Sequence, residues 1–190
     1  MDLIYSIVMK AIIFDFGGVI ALHGGLYYVP IFPDTDTWHQ AESGQIPEEE
    51  LWWKLEEYYH KSTDELLQML LNERKLNQPL VEFLKSKKSQ FKFGFINNGL
   101  QKLTEKMIEE WKLGEVFEAM IISSKEKLSK PDPKIFLLAC ERLGVTPEDC
   151  LFVGRKENYV QVALSLGMRG FLYKDFEDFK NQVAPLLAVA

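Results

Sequence analysis

Residues 121–153 read IISSKEKLSKPDPKIFLLACERLGVTPEDCLFV, and this stretch decides the fold. It opens on the end of an apolar run, Ile121-Ile122, and passes into a polar loop that closes on Lys130-Pro131-Asp132-Pro133. A helical pattern follows, with Ile135, Ala139 and Leu143 four residues apart on one face. Asp132 is placed to cap that helix, and Pro133, with its φ already fixed, suits the first helical position. Thr146-Pro147-Glu148-Asp149 forms a short capped turn, and CLFVG (150–154) is a second apolar run. Strand, loop, helix, turn and strand in this order describe parallel strands joined by a helical crossover.

The same alternation extends in both directions. Downstream come a helix, YVQVALSLG (159–167), and a strand, GFLY (170–173). Upstream are a strand VFEAMIIS (116–123), a helical stretch carrying Leu103, Met107, Ile108 and Trp111, a strand FKFGFI (91–96) and a helix LVEFLKSKK (80–88) after Pro79. The first strand is KAIIFDF (10–16), a continuous apolar run of the kind buried on both faces of a parallel sheet. The expected fold is α/β, a doubly wound, Rossmann-like parallel sheet of about five strands.

Between the first strand and Pro79 the pattern changes. Residues 22–35 are rich in Gly, Pro and Tyr and read as a loop. Thr37 to Arg74 reads as helical. Pro47-Glu48-Glu49-Glu50 starts one helix, its acids matched to the positive N-terminal dipole, with Leu51, Trp52, Leu55 and Tyr58 or Tyr59 on its apolar face. Ser62-Thr63-Asp64-Glu65 is a capping box for the next, with Leu66, Leu67, Leu70 and Leu71 as its stripe. We therefore divide the chain into a core of residues 9–21 and 78–190 and an inserted helical cap of residues 22–77. The aromatic residues of that segment, Tyr27, Tyr28, Phe32, Trp38, Trp52, Trp53, Tyr58 and Tyr59, are expected to pack the cap's own small core; a partner surface or homodimer contact is the other reading.

In a doubly wound sheet the functional residues lie just beyond the carboxyl ends of the strands. Here these are Asp15, Asn97-Asn98, Lys130 and Gly154-Arg155-Lys156. Asn98-Gly99 could also be a hairpin turn, but the helical pattern after Leu100 favours a loop from strand to helix.

Four motifs carry those residues: FDFGGVI (14–20), FINNG (95–99), SKPDPKIF (129–136) and LFVGRKENYVQVALSLGM (151–168). Their order resembles the haloacid dehalogenase-like hydrolase superfamily, over residues 10 to about 180, and in particular its members with a small helical (C1-type) cap. The resemblance implies phosphomonoester hydrolysis through a covalent aspartyl intermediate, with Asp15 in the nucleophile position and Lys130 as the cation that neutralises the crowded negative charge. Asn97 stands where relatives have Ser or Thr and Asn98 matches the Asn that follows. With Gly17, Gly18 and Arg155 they make up the expected phosphate-binding set. Gly17 occupies the place of the acid/base Asp and has no side chain with which to move a proton. Gly154 and Arg155 occupy the two places where relatives carry magnesium ligands, and Glu157 would serve as one only if this motif slips. The expected protein is thus weak or inactive as a magnesium-dependent phosphatase, with no cofactor unless the site is rescued. The alternatives are a metal-independent hydrolase built on Asp15, Lys130 and Arg155, as the dehalogenase branch works without metal, or a non-catalytic ligand- or protein-binding module. In one version the Arg155 guanidinium takes the metal's place and pairs with Asp15 as an arginine–carboxylate fork.

Composition narrows the partners. The 190 residues suffice for one core and a small insertion. A net charge of −6 disfavours a nucleic-acid binder and leaves a small phosphorylated or anionic molecule as the expected ligand. No stretch reaches the ~20 apolar residues of a membrane span. Met1–Val8 is a poor signal peptide, so translation starts at Met1 or Met9. Cys140 and Cys150 are not in a C-x-x-C pattern and read as buried, reduced thiols, and His23, His39 and His60 are too scattered for a zinc site. A cytoplasmic protein is expected.

Overall fold

The computed structural model of the protein describes residues 9–23, 32–183 and 185. Tyr27, Tyr28, residues 1–8 and most of the expected loop of residues 22–35 lie outside the described residues. In chain order the elements are β1 (Ala11–Asp15), β2 (Ala21–His23), α1 (Thr35–Ser43), α2 (Glu48–Tyr59), α3 (Thr63–Asn72), β3 (Arg74–Leu76), α4 (Gln78–Lys87), β4 (Lys92–Asn97) and α5 (Gln101–Glu110). They continue with β5 (Ala119–Ile122), α6 (Ser123–Glu126), α7 (Pro133–Leu143), β6 (Cys150–Gly154), α8 (Glu157–Ser165), β7 (Arg169–Leu172) and α9 (Phe176–Val183).

Five strands form one parallel sheet in the order β5-β4-β1-β6-β7. β1 lies at its centre, with Asp15 opposite Ile96 of β4 and Phe14 opposite Val153 of β6. All five β1 residues are buried, which is why the run could be continuous rather than alternating. Side chains still alternate between the two faces. Ile12 and Phe14 enter the apolar cluster that contains α4, α5 and α9 residues, among them Leu84, Met107 and Phe179. Ala11 and Ile13 enter the cluster under α7 and α8, with Ile135, Ala139 and Ala163. The α/β expectation holds, with the crossover helix starting where it was read: Asp132 accepts from the Lys134 N–H, and Pro133 is the first helical residue.

The segment between β2 and β3 differs from its expected form. Helices α2 and α3 start at Glu48 and Thr63 as read, and the turns before them pass through Gly44 and His60, both in left-handed conformation; the differences are a strand pair and a shared core. The capping box on Ser62 and Glu65 is present. β2 and β3, unanticipated in the sequence, pair antiparallel with Ala21 opposite Leu76 and His23 opposite Arg74. The apolar residues of α1–α3, including Trp38, Leu51, Trp52 and Leu66, belong to the same cluster as Phe14 and Phe16 of the first strand. The helices therefore share the sheet's core on that side instead of enclosing one of their own. Trp53 (78%) and Tyr58 (49%) remain exposed.

Polar contacts fasten this segment to the rest. Glu48, in the first turn of α2, accepts from the Trp52 indole at 2.7 Å and from the N–H groups of Gln101 (2.5 Å) and Lys102 (3.1 Å). A carboxylate from one helix thus caps the N-terminus of α5, whose own cap residue, Leu100, has no side chain able to do so. Asn77 donates to Val19 O and to the Tyr173 hydroxyl, both at 2.8 Å.

Candidate active site

Asp15 closes β1 and is 7% exposed. Its Oδ1 accepts from the Phe16 N–H at 2.8 Å and from Lys130 Nζ at 2.5 Å. Oδ2 has no hydrogen-bond partner among the described residues, so one oxygen is fixed while the other is unclaimed.

Lys130 is 3% exposed, and its ammonium also donates to Ile96 O at 2.5 Å. Burial pushes its pKa down, and the neighbouring Asp15 carboxylate opposes that shift. The ring of Tyr159 on α8 lies 5.2 Å from this ammonium and 5.2 Å from that of Lys156, close enough for cation–π attraction. The lysine's backbone is held by Asn98, which accepts from Lys130 N at 2.9 Å and donates to Lys130 O at 2.8 Å. Asn98 was expected on the phosphate; here both ends of its amide hold the lysine loop. Asn97 gives its N–H to Thr104 Oγ1 at 2.8 Å, anchoring the end of β4 to α5. The loop after β4 leads into a helix, not a hairpin.

Gly18 has φ +77°, and a Cβ there would lie 2.7 Å from Arg155 Cδ and 2.8 Å from its Nη1. The glycine is needed both for its backbone conformation and so that Arg155 can lie across it. Its N–H is given to Ala21 O at 2.8 Å. The proposed Arg155–Asp15 fork is therefore corrected. Among the described residues Asp15 forms its ion pair with Lys130 and none with Arg155. The reason is geometric: the guanidinium folds over the empty side of Gly18, while Lys130 Nζ reaches Asp15 Oδ1.

These groups wall a cavity of about 360 Å³. Asp15, Gly17, Asn97, Asn98, Lys130 and Arg155 all line it, as do Lys156 and Tyr159. Three further lining residues come from the segment between β2 and α4: Trp38 and Glu42 on α1, and Arg74 on β3. Sequence reasoning missed Glu42, Arg74 and Tyr159 as site residues. No local motif marks them; the unfilled acid/base position was the one signal that an acid should be sought elsewhere.

The donor set does not fit magnesium. The ion needs several oxygen ligands in near-octahedral array, and among the described residues there is no group of three His, Cys, Asp or Glu able to hold a metal. Asp15 is already paired with an ammonium. Gly154 ends β6, and exposed Glu157 opens α8 without lining the cavity.

Comparison with known proteins agrees with the fold. Residues 9–167 match the family described as haloacid dehalogenase-like hydrolase. A phosphorylated carbohydrates phosphatase of Thermotoga maritima is 28% identical over 84% of this chain and 82% of its own length. A glyceraldehyde 3-phosphate phosphatase of Methanopyrus kandleri is 36% identical, over 50% of this chain and 43% of its own. The chain covers 36% of human N-acylneuraminate-9-phosphatase, at 30% identity. Among solved structures, an enzyme of the same family from Bacteroides thetaiotaomicron, in complex with magnesium and inorganic phosphate, superposes with a TM-score of 0.75 at 20% identity over 92% of this chain and 99% of that one. An L-2-haloacid dehalogenase from Xanthobacter autotrophicus gives 0.60 at 18% identity, over 94% and 83%. Among the described residues no helix is long and apolar enough to cross a membrane.

Proposed function

The chain belongs to the haloacid dehalogenase-like hydrolases, and from that premise we propose that it hydrolyses a small phosphomonoester weakly, on Asp15, without magnesium. One observation carries this reading: the buried Lys130 ammonium sits 2.5 Å from Asp15 in a cavity that Arg74, Arg155 and Lys156 also line. Among the described residues, four cations and two acids, Asp15 and Glu42, line the cavity, in a protein whose net charge is −6. Fixed positive groups in a confined site stabilise charge developing on a phosphoryl group, the electrostatic part of what a metal otherwise supplies. Asp15 Oδ2 attacks phosphorus, the ester oxygen leaves, and water then releases phosphate from the aspartyl intermediate. Lys130 also restrains the nucleophile it orients, which keeps the rate low. A cavity of about 360 Å³ suits a metabolite rather than a macromolecule, and several relatives are phosphatases of small phosphate esters by name. Two unlinked buried thiols, Cys140 and Cys150, whose sulfurs are 3.6 Å apart, favour a cytoplasmic setting.

The test is p-nitrophenyl phosphate turnover with and without EDTA, with Asp15→Asn as the blank. Turnover that resists EDTA and disappears in Asp15→Asn is expected. Turnover abolished by EDTA would mean that an acid outside the expected set binds metal. No Asp15-dependent turnover would leave a binding protein on a hydrolase fold.

A further inference from the structure

Gly17 leaves the family's proton-transfer position empty, and the space there is open: a Cβ on Gly17 would meet nothing within 4 Å. An acid elsewhere in the cavity lining could serve a substrate bound there. Among the described residues the cavity is lined by two carboxylates, Asp15 and Glu42.

We propose that Glu42 is the general acid and base of this site, delivered from α1 to do the work that position 17 cannot. The proposal rests on the hydrolase reading above and deepens it.

The backbone of Glu42 is fixed to the catalytic loops. Its carbonyl accepts from the Ser123 hydroxyl, and the same hydroxyl accepts from the Gly99 N–H at 2.9 Å. Ser124 Oγ in turn donates to Gly99 O at 2.9 Å. Three segments thus meet at one point: the end of α1, the loop after β4 and the start of α6. This junction holds Glu42 against the loop that follows Asn97 and Asn98.

The environment suits a proton carrier. The carboxylate lies beside the Trp38 indole and beside His39 Nδ1 at 3.6 Å, both on α1. Arg74 approaches from β3. Asp15, Lys130, Arg155 and Lys156 line the same cavity. Burial raises the Glu42 pKa, and Trp38, His39 and Arg74 only partly offset it. The side chain nevertheless keeps 27% of its surface open, so it is desolvated enough to hold a proton and open enough to deliver one.

The step balances without another reagent. As Asp15 Oδ2 forms its bond to phosphorus, the bond from phosphorus to the ester oxygen breaks, and protonated Glu42 gives that oxygen its proton. The alcohol leaves. Glu42, now a carboxylate, takes a proton from water as the water oxygen attacks the phosphorus of the aspartyl phosphate. Phosphate departs, Asp15 is free again and Glu42 is protonated again.

Two measurements test this on the full chain. The first is the 13C carboxyl titration of glutamate-labelled protein, with Glu42→Gln identifying the resonance. A midpoint shifted toward neutrality is expected; a midpoint among those of the exposed glutamates overturns the proposal. The second compares kcat/KM for Glu42→Gln on p-nitrophenyl phosphate, whose leaving group needs little protonation, and on glycerol phosphate, whose leaving group needs it. The expected loss is at least ~100-fold for the alkyl ester and at most ~10-fold for the aryl ester. Equal losses on both substrates overturn the proposal and leave the hydrolase reading standing. Absence of wild-type turnover on either substrate overturns both. Melting temperature controls for folding: because the folded state raises the Glu42 pKa, Glu42→Gln is expected to melt higher than wild type at pH 8 and no higher at pH 4.

Discussion

Lys130 carries a charge into a place nearly closed to water, and its stability depends on one carboxylate. Removing one partner of a buried pair typically costs about 3–5 kcal/mol. Asp15→Ala should therefore lower the melting temperature at pH 7 by roughly 10 °C. The sign with pH follows from burial. The folded Lys130 pKa lies below the ordinary lysine value of 10.5, so the folded state binds fewer protons than the unfolded one between those two values. Stability contributed by this group thus rises with pH across that window. The deficit of Asp15→Ala should narrow in melts taken from pH 7 to pH 10, as the orphaned ammonium gives up its proton. A deficit constant with pH would mean that the cost is packing. Asp15 and Lys130 were legible in the sequence because each closes a strand or loop within a local motif. Arg155 was legible in position but not in partner, since its direction depends on the missing Cβ of Gly18. Glu42, Arg74 and Tyr159 come from three separate elements, and only folding brings them to one cavity.

Helix α5 begins with a cap that belongs to another helix. Glu48 satisfies two of its leading N–H groups and the Trp52 indole at once. Glu48→Ala leaves those donors without their acceptor, and a loss of about 2–3 kcal/mol is expected from the cap and buried-donor contributions together. The check is urea denaturation of Glu48→Ala beside Glu49→Ala, whose carboxylate is exposed and should change little. Such a cap is invisible in sequence, because its partners are more than fifty residues apart. The five core strands and helices α4, α5, α7 and α8 were legible because each carries a run or stripe long enough to show its period, whereas α6 and α9 were not read. β2 and β3, three residues each, were not. The starts of α2 and α3 were legible from Pro47 and from the Ser62 capping box, whereas the left-handed residues that end the preceding helices, Gly44 and His60, were not singled out.

The molecule as a whole is acidic, yet its cavity gathers Arg74, Lys130, Arg155 and Lys156. A bound oxyanion should therefore stabilise the fold, by about 2.7 kcal/mol when its concentration is 100 times Kd. Orthovanadate is expected to raise the melting temperature by roughly 5–10 °C at that saturation. The shift should shrink between 50 and 300 mM NaCl as the cations are screened. Magnesium chloride at matched ionic strength should produce no shift of its own. A rise with magnesium alone would contradict the reading of the donor set.

The strand order has a consequence for how the protein is made. β1 is synthesised first, but its neighbours, β4 and β6, lie at residues 92–97 and 150–154. On the ribosome the Asp15 strand must wait for most of the polypeptide to emerge before both its edges are covered. A nascent chain arrested after α7 would expose one side of AIIFD, a run with no charge before its last residue. Uncovered apolar edges of this kind recruit other chains. Chaperone dependence and the yield of truncated products would then follow how quickly Cys150–Gly154 arrives, making translation speed through the second half of the message a determinant of how much protein survives.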